Sequence, residues 1–348
     1  MPTTMSTRHS PALESNVDGI VWVPPEGLEY LAALPAECHV AAIPTKPLES
    51  SVLGRVRFLV PPQGVPSAPF ARALRPLWSK LSSLEVVQTL SSGVDWIVQD
   101  IPAHIALCSA KGVLDAAVAE WIVGAILAGL KLIPFYRDEQ TATRWTRRMV
   151  RSLQDSSVLL VGYGSIAREV EARLAPFGAT IARVAHTARP GVAGRDVLLS
   201  LLPDADVVVL LLPHTPETRG LVDHTFLDQM RPGALLVNGA RGALVDGAAL
   251  VAAVRGNRLR AVIDVTDPEP LPADDALWRV PDILLTPHIA AYVSDWMPKT
   301  YGFIAEQLLR WHRGEPLANV IAHGFPSGMT SRVSDSPPRP NRRGDPEG

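Results

Sequence analysis

The sequence predicts an α/β protein with two domains, each built on a parallel β-sheet. The chain has 348 residues, of which 47% are hydrophobic, so it is long enough to bury two cores. Short apolar runs rich in β-branched residues alternate with longer amphipathic stretches, the pattern of strands joined by crossover helices. A glycine-rich turn follows one of these runs and precedes one of these stretches.

Charge and cysteine content argue against several classes of partner. The balance of 33 basic and 35 acidic side chains offers no footprint for nucleic acid or an anionic membrane. Cys38 and Cys108, the two cysteines, fit neither a disulfide framework nor a clustered metal site. The N-terminus has no apolar signal region, and Glu120 and Lys131 interrupt the most hydrophobic helical stretch. We therefore expect a cytoplasmic protein that binds small molecules, without a metal, a membrane span or nucleic acid.

The first third of the chain predicts the smaller sheet. Apolar runs at 20–23, 58–60, 85–90 and 105–108 are typical of strands, and a helix is expected over 70–80. A long amphipathic helix over 114–136 would connect the two domains. The polar, proline-rich ends, 1–17 and 326–348, are expected to be disordered.

The second part predicts a doubly wound sheet of the Rossmann type. Six apolar runs, at 158–161, 180–184, 207–212, 235–237, 261–263 and 283–285, have the character of strands covered on both faces. Asp246 is the expected N-cap of a helix that extends to Gly256. Gly178 should end another helix, whose apolar face is formed by Ile166, Val170, Leu174 and Phe177.

The turn after the first of these runs indicates dinucleotide binding. Residues 162–167, Gly-Tyr-Gly-Ser-Ile-Ala, match the pattern G-x-G-x-x-G/A. Gly162 permits a tight turn, Gly164 lets the backbone approach a pyrophosphate, and Ala167 allows the helix to pack closely on the strand. Taken alone the motif also fits a plain tight turn, but here a strand precedes it and a helix follows it.

The end of the next strand bears on the choice of cofactor. An NAD-preferring site places Asp or Glu there to bind the ribose hydroxyls, and this stretch contains neither, with Ala185 at the corresponding place. His186, Thr187 and Arg189 can instead receive the 2′-phosphate of NADP(H), which we expect to be preferred. The alternative is that these are solvated loop residues and that the site accepts both cofactors.

Three groups with complementary chemistry follow later strands. They are the guanidinium of Arg241, a carboxylate within 264–270 and the imidazole of His288. Each has an ordinary structural explanation on its own, as a surface ion pair, a loop residue or a turn residue. Together, at the carboxyl ends of parallel strands, they favour hydride transfer to a carbonyl that neighbours a carboxylate.

These motifs and their order resemble the D-isomer-specific 2-hydroxyacid dehydrogenases, a family that includes glyoxylate/hydroxypyruvate reductases and phosphoglycerate dehydrogenases. The resemblance covers roughly residues 84–320, and it includes the segments 91–95, 118–120, 162–167, 205–208, 213–218, 238–246, 264–270 and 286–290. It implies a flavodoxin-like substrate domain formed by 18–115 and completed by 290–322. The Rossmann NAD(P)-binding domain, 116–289, would be inserted between these parts, with the active site in the cleft.

The resemblance also implies a role for each site residue. Arg241 matches the residue that pairs with the substrate carboxylate. His288 matches the catalytic acid/base, and Glu269 matches the carboxylate that orients His288 and favours its protonated form. The amides of Ser92, Gly93 and Val94 match a substrate-binding loop, whose alternative is a plain turn. The remaining cofactor contacts expected from the resemblance are Ser165, Ile166, Pro213, Ala240 and Asp264, although Asp264 can instead cap the following turn.

Departures from the family pattern favour a small 2-keto or 2-hydroxy acid as the substrate, with a bulkier keto acid as the alternative. The segment 60–64 lacks the cation of many phosphoglycerate enzymes, and Glu269 replaces the Gln of the formate-oxidising branch. Trp96, Tyr292, Trp296 and Met297 are expected either to shape the pocket or to serve packing. A homodimer is expected, with contacts near the 114–136 helix and Trp145. The alternatives are a non-catalytic NAD(H)-sensing interaction protein on the same scaffold and an unrelated Rossmann enzyme such as a methyltransferase.

Overall fold

A computed structural model describes residues 21–44, 50–62 and 74–322, and two six-stranded sheets organise them. The predicted disordered ends, residue 20 of the first apolar run, residues 63–64 of the segment after the third strand and residues 70–73 of a predicted helix lie outside these ranges.

The first sheet has the strand order β2-β1-β3-β4-β5-β12. The first five strands are parallel, and their order is that of flavodoxin-like folds, as predicted. The sequence patterns did not reveal β2, a three-residue strand at one edge, or β12, which pairs antiparallel with β5 at the other edge. The strands are β1 Val21–Val23, β2 Val40–Ala42, β3 Phe58–Leu59, β4 Val86–Gln88, β5 Ala106–Cys108 and, from the end of the chain, β12 Val320–Ala322.

The second sheet is wholly parallel and confirms the predicted doubly wound arrangement. Its order is β7-β6-β8-β9-β10-β11, so the chain moves from β6 to β7 on one side and then crosses to β8 on the other. This reversal opens a crevice at the carboxyl ends of the strands, where such sheets bind ligands. The strands are β6 Ser157–Val161, β7 Thr180–Val184, β8 Val207–Leu210, β9 Ala234–Asn238, β10 Leu259–Ile263 and β11 Ile283–Leu285.

The helices cover both faces of the second sheet. Residues of β6 alternate between two cores: Val158 and Leu160 pack with α3 and α5, whereas Leu159 and Val161 pack with α7 and α8. The helices are α1 Leu28–Leu31, α2 Ser50–Leu53, α3 Asp115–Leu130, α4 Ile133–Thr141, α5 Ser165–Leu174, α6 Leu198–Leu201, α7 His224–Gln229, α8 Gly247–Arg255 and α9 Trp296–His312.

The predicted helix ends that rest on local chemistry are confirmed. The side chain of Asp246 accepts hydrogen bonds from the amides of Ala248 and Ala249, so it caps α8. Gly178 adopts φ of 74° after the 3₁₀ turn Ala175–Phe177, which extends α5. Pro176 cannot donate the next backbone hydrogen bond of an α-helix, and this accounts for the tighter turn.

Two predicted helices are different in the structure, each near a proline. The helix expected over 114–136 is two helices, α3 and α4, which meet at an angle of 60°. Leu132 has φ of 55° and Pro134 lies in the first turn of α4, so the backbone cannot continue as one helix. In the described part of the 70–80 stretch, Pro76 lies within a single 3₁₀ turn, Arg75–Leu77.

The end of the chain returns to the first sheet. Tyr301, Ile304 and Leu308 of α9 are buried in the core that also contains Val21 and Phe58. Strand β12 then completes the sheet beside β5. The two terminal parts of the described chain therefore build one core, and the second sheet is formed by the residues between them.

Within the described ranges, no helix taken singly has the length and apolar character needed to cross a membrane. The bent pair of α3 and α4 meets these criteria only when its two helices are counted together.

Candidate active site

Every strand of the second sheet has a predicted site residue close after its carboxyl end. Because all six strands are parallel, these ends lie along one edge of the sheet. In the spatial order of the strands, the residues are His186 and Arg189 after β7, Gly162 after β6, Pro213 after β8, Arg241 after β9, Asp264 after β10 and His288 after β11.

The glycine-rich turn has the geometry that the motif predicts. Gly162 has φ of 101°, and a β-carbon there would lie 2.6 Å from the carbonyl carbon of Leu211, just beyond β8. No other residue fits this turn without strain. Helix α5 begins at Ser165, so its first amides point out of the helix toward the crevice. The amides of Gly162, Tyr163 and Gly164 donate within the backbone, so the open amides at the start of α5 are the N–H donors suited to a pyrophosphate.

The loop after β7 contains cations and no carboxylate near the expected ribose position. Arg189 donates a 2.6 Å hydrogen bond from Nη2 to the carbonyl of Tyr163 inside the glycine turn. His186, Thr187 and Arg189 are exposed, and Ala185 is buried at the end of the strand. Arg189 is therefore held beside the dinucleotide turn, while its guanidinium remains open to solvent.

His288 and Glu269 form a hydrogen-bonded pair. Nδ1 of His288 lies 2.9 Å from Oε2 of Glu269, and Oε1 of Glu269 accepts a hydrogen bond from the amide of Thr266 at 3.0 Å. Burial alone would raise the pKa of Glu269. The hydrogen bond and charge of His288, the Thr266 amide and the charge of Arg241 outweigh burial, so this pKa lies below its ordinary value. Glu269 is therefore a carboxylate at neutral pH, and Arg241 is near enough for its positive charge to lower the pKa of Glu269.

Asp264 holds the loop on which His288 lies. Its carboxylate accepts hydrogen bonds from the hydroxyl of Thr286 and from the amides of Ile289 and Ala290, at 2.6 to 2.8 Å. Its backbone carbonyl accepts the amide of His288, whose φ of 55° is unusual for this residue type. Asp264 is only 2% exposed. This geometry favours the capping alternative over direct contact with a nicotinamide, which remains a prediction.

Arg241 lies at the junction of the two sheets. Its Nε donates to Oδ1 of Asp95 at 3.0 Å, its Nη2 lies 2.9 Å from the same oxygen, and its Nη1 donates to the carbonyl of Ala240. Asp95 comes from the loop after β4 of the first sheet. The buried Asn238 at the end of β9 shapes the turn before Arg241, accepting from the Ala240 amide and donating to the Arg241 carbonyl.

The loop formed by residues 89–95, after β4, lies directly against Arg241. A β-carbon on Gly93 would lie 1.3 Å from Nη2 of Arg241, so only glycine leaves room for the guanidinium. Side-chain to backbone hydrogen bonds brace the loop, from Thr89 to Ser91, from Ser91 to Gly93 and from Ser92 to Ala110. Among the hydrogen bonds within 21–44, 50–62 and 74–322, none uses the amides of Ser92, Gly93 or Val94.

The backbone of the Arg241 turn also touches the Glu269 loop. A β-carbon on Gly242 would lie 2.0 Å from the carbonyl carbon of Thr266. The turn after β9 and the loop after β10 are therefore packed backbone against backbone. This packing and the Glu269–His288 pair bring the predicted trio of arginine, glutamate and histidine together.

The four aromatic or sulfur side chains considered for the pocket divide into two groups. Trp96 and Met297 pack against the two cores of the first sheet, which supports a packing role. Tyr292 is 72% exposed, and its ring lies 6.1 Å from that of Trp296 at the start of α9. Tyr292 and Trp296 are therefore the better candidates to line a cleft.

Two residues important to this geometry were not among the predicted site residues. Asp95 belonged to a recognised motif, and a charged residue in a substrate loop was the available signal. Asn238 ends the apolar strand Ala-Leu-Leu-Val-Asn, where a buried polar side chain must find partners. In the described part of the chain, no cluster of three or more His, Cys, Asp or Glu side chains is arranged to hold a metal ion.

Comparison with known proteins agrees with this geometry. Residues 123–290 match the family model described as D-isomer specific 2-hydroxyacid dehydrogenase, NAD binding domain. Glyoxylate/hydroxypyruvate reductase A of Salmonella heidelberg (strain SL476) is 29% identical over 258 residues, covering 70% of this chain and 82% of that protein.

Solved structures of similar proteins extend the likeness to both sheets. The D-isomer specific 2-hydroxyacid dehydrogenase from Xanthobacter autotrophicus Py2, in complex with NADPH and MES, has a TM-score of 0.72 at 28% identity, covering 87% of this chain and 98% of that one. A family protein from Aeromonas salmonicida subsp. salmonicida A449 has a TM-score of 0.72 at 26% identity, covering 86% and 97%. Residues 123–290 therefore match the NAD binding domain of the D-isomer specific 2-hydroxyacid dehydrogenases, and the two-sheet fold is that of solved proteins described by this name.

Proposed function

We propose that this protein is an NAD(P)H-dependent reductase that converts small 2-keto acids to 2-hydroxy acids, as glyoxylate/hydroxypyruvate reductases do. The observation that carries the proposal is the Glu269–His288 pair at 2.9 Å, on the same sheet edge as Arg241 and the glycine-rich turn. The match of residues 123–290 to a dehydrogenase family and a similar protein that is a reductase favour this interpretation over a non-catalytic NAD(H)-sensing protein.

Arg241 would bind the carboxylate of the substrate. A guanidinium carries five N–H donors in a planar fork, so Nη1 and Nη2 keep donors beyond their contacts with Ala240 and Asp95. Gly93 lies beside this fork, and the amides of Ser92, Gly93 and Val94 in its loop would offer further donors to the same carboxylate. The keto group would then be held near His288.

His288 would supply the proton. Its Nδ1 faces Glu269, so Nε2 is the ring atom available to a substrate oxygen. The Glu269 carboxylate accepts a hydrogen bond from Nδ1 and so fixes the orientation of the ring. A bound reduced nicotinamide would supply a hydride to the carbonyl carbon, and the Nε2 proton would then pass to the carbonyl oxygen, yielding the hydroxyl of the product. In the reverse direction, His288 would accept that proton.

The cofactor would lie along the carboxyl edge of the second sheet. The amides of Ser165 and Ile166 would hold the pyrophosphate beside Gly162 and Gly164, and Pro213 and Ala240 would line the path of the cofactor toward Arg241.

NADP(H) is the proposed preference, because Arg189 is fixed beside the turn, with His186 and Thr187 exposed nearby. Arg189→Ala should lower kcat/KM for NADPH by about tenfold or more while leaving that for NADH nearly unchanged. Equal losses with both cofactors would contradict the preference.

We also propose that 18–115 and 290–322 form the substrate domain and that 116–289 form the cofactor domain. The sheet memberships support this division, because β12 and α9 join the first sheet. Limited proteolysis with and without NADPH tests it. Binding should protect sites within 116–289 first, and equal protection of both parts would argue against the division.

A homodimer is the proposed assembly, with the extended segment 144–150 as a contact. Trp145 and Met149 are 97% and 98% exposed. Such exposure of two large apolar side chains in one short segment is unusual for a monomer and marks an interaction site. The segment is nevertheless held on α4, since the hydroxyl of Tyr136 donates to the Arg148 carbonyl and accepts from the Arg148 amide. Light scattering should give a dimer mass, and Trp145→Ser with Met149→Ser should shift it toward the monomer. An unchanged mass in this double variant would contradict the proposed contact.

The decisive experiment measures NADPH and NADH oxidation across 2-keto acids of increasing side-chain size, beginning with glyoxylate and hydroxypyruvate. We expect turnover with the small acids and its loss in Arg241→Ala. Tight cofactor binding with no turnover on any acid would instead favour the non-catalytic alternative. Wild-type turnover in Arg241→Ala would remove the arginine from the mechanism.

A further inference from the structure

Asp95 is the one carboxylate in the loop formed by residues 89–95. It lies close to two side chains that follow strands of the second sheet, those of Arg241 and His214. Its Oδ1 contacts Nε and Nη2 of Arg241, and its Oδ2 lies 4.0 Å from Nδ1 of His214. His214 in turn lies 3.5 Å from Arg219, which pairs with Asp267 just before the Glu269 loop. Asp95 therefore joins the two halves of the cleft at the proposed substrate site.

We propose that Asp95 is a positioning residue that presents Arg241 to the carboxylate of the substrate and makes substrate recognition depend on contact between the two domains. The inference rests on the proposed function, since it assumes that Arg241 binds a substrate carboxylate. It adds that the guanidinium is useful only when the loop after β4 holds it.

The way in which Asp95 contacts Arg241 supports positioning rather than competition with the substrate. A single oxygen, Oδ1, faces both Nε and Nη2, so Asp95 occupies the side of the guanidinium next to the side-chain stem. The Ala240 carbonyl fixes Nη1 from its own direction. Each terminal nitrogen carries two N–H groups, so donors remain on both for a second carboxylate.

The residues around Arg241 also support a positioning role for Asp95. Gly93 lies directly on Nη2, so its loop, in which the amides of Gly93 and Val94 make no hydrogen bond within the described residues, packs against these guanidinium donors. A guanidinium on a flexible stem samples many rotamers unless it is held, and ordering it during substrate binding would cost affinity. Asp95, Ala240 and Gly93 remove this freedom before the substrate arrives. The side chains of Arg241 and Asp95 are 29% and 27% exposed, so the pair is accessible from the cleft.

The test compares four variants: Asp95→Ala, Asp95→Asn, Arg241→Ala and the double variant Asp95→Ala/Arg241→Ala. Asp95→Ala should raise KM for glyoxylate about 10- to 100-fold, with a smaller change in kcat and no change in the Kd of NADPH. Asp95→Asn keeps an acceptor oxygen near Arg241, so its KM should rise less. In the Arg241→Ala background, removal of Asp95 should have little further effect, because Asp95 acts through the arginine.

A second measurement does not depend on turnover. Oxamate, the unreactive amide analogue of glyoxylate, carries the same carboxylate, and its binding to the NADPH-loaded protein can be followed by calorimetry. The Kd of oxamate should rise in Asp95→Ala by about the same factor as KM. Asp100→Ala is the matched control, since Asp100 pairs with Arg75 in the first sheet's domain away from the site. It should leave both values unchanged.

The outcomes separate the inference from the proposed function. If Arg241→Ala loses binding while Asp95→Ala behaves like the wild type, or binds oxamate more tightly, the positioning role of Asp95 is wrong and the proposed function stands. If the effects of the two single variants multiply in the double variant, Asp95 acts independently of Arg241, which also overturns the inference. If Arg241→Ala binds and reduces glyoxylate normally, the proposed function fails and the inference fails with it.

Discussion

Gly93 and Arg241 are in direct contact across the two sheets, since a β-carbon on Gly93 would lie 1.3 Å from Nη2 of Arg241. The two residues are far apart in the chain, and each comes from a loop at the carboxyl end of a parallel strand. Their contact places the substrate loop and the guanidinium against each other. The absence of a side chain at Gly93 is therefore a requirement of the site itself.

Gly93→Ala should impair substrate binding more than folding. The new methyl group would displace the end of a flexible arginine side chain, so the backbone need not move. We expect KM for glyoxylate to rise by about 10- to 100-fold, with a change in Tm of only a few degrees. Gly302→Ala in α9 is the control, because nothing lies within 4 Å of its added β-carbon. A normal KM in Gly93→Ala would show that the guanidinium works equally well from another position.

His288→Ala should remove the proton donor and preserve the cofactor site. We expect kcat for glyoxylate reduction to fall by about 10² to 10⁴, because a positioned acid contributes this much to such reactions. The Kd of NADPH, measured by fluorescence titration, should stay within about threefold, since the glycine turn is not in contact with His288. Retention of wild-type kcat would exclude His288 as the donor.

Glu269→Gln should change how stability depends on pH. The pKa of Glu269 in the folded protein is lower than its ordinary value of 4.5. The contacts that the Glu269 carboxylate makes with His288 and the Thr266 amide therefore stabilise the fold above pH 4.5, and this contribution is lost as pH falls through the lowered pKa. The free energy of unfolding of the wild type should exceed that of the variant by about 1 kcal/mol at pH 5.5, and the difference should shrink as the pH falls below 4.5. Urea unfolding across this range measures the difference. A difference that stays constant into strong acid would contradict the lowered pKa of Glu269.

The two cysteines should be unreactive in the folded protein. Cys38 and Cys108 are free thiols with 1% and 0% exposure, and burial raises the pKa of Cys108 to about 12. The thiolate is the reactive form, so both accessibility and charge state oppose modification. Ellman's reagent should detect no thiol in the native protein and two after unfolding in guanidinium chloride. Rapid labelling of the native protein would contradict the burial of both side chains.

Sequence patterns were sufficient where the governing interaction is local. The strands of the second sheet are short runs that are apolar on both faces, and burial on both sides requires this composition. The turn at Gly162 needs a left-handed backbone, and Asp246 satisfies the first amides of the helix that it precedes. Interruptions were harder to predict. Leu132 adopts a left-handed conformation in an otherwise helical pattern, because it is the N-cap of a new helix that begins at Ile133 and has Pro134 in its first turn.

The sequence by itself therefore determined the two-domain α/β class and the glycine-rich turn, and it predicted Arg241, Glu269 and His288 as site residues. Only the tertiary structure decided how these groups are held: Asp95 on Arg241, Gly93 beneath the guanidinium and Asp264 bracing the His288 loop. The physical reason is separation along the chain. A hydrogen bond between residues 146 positions apart leaves no periodicity in the sequence, because it depends on how two separate sheets meet.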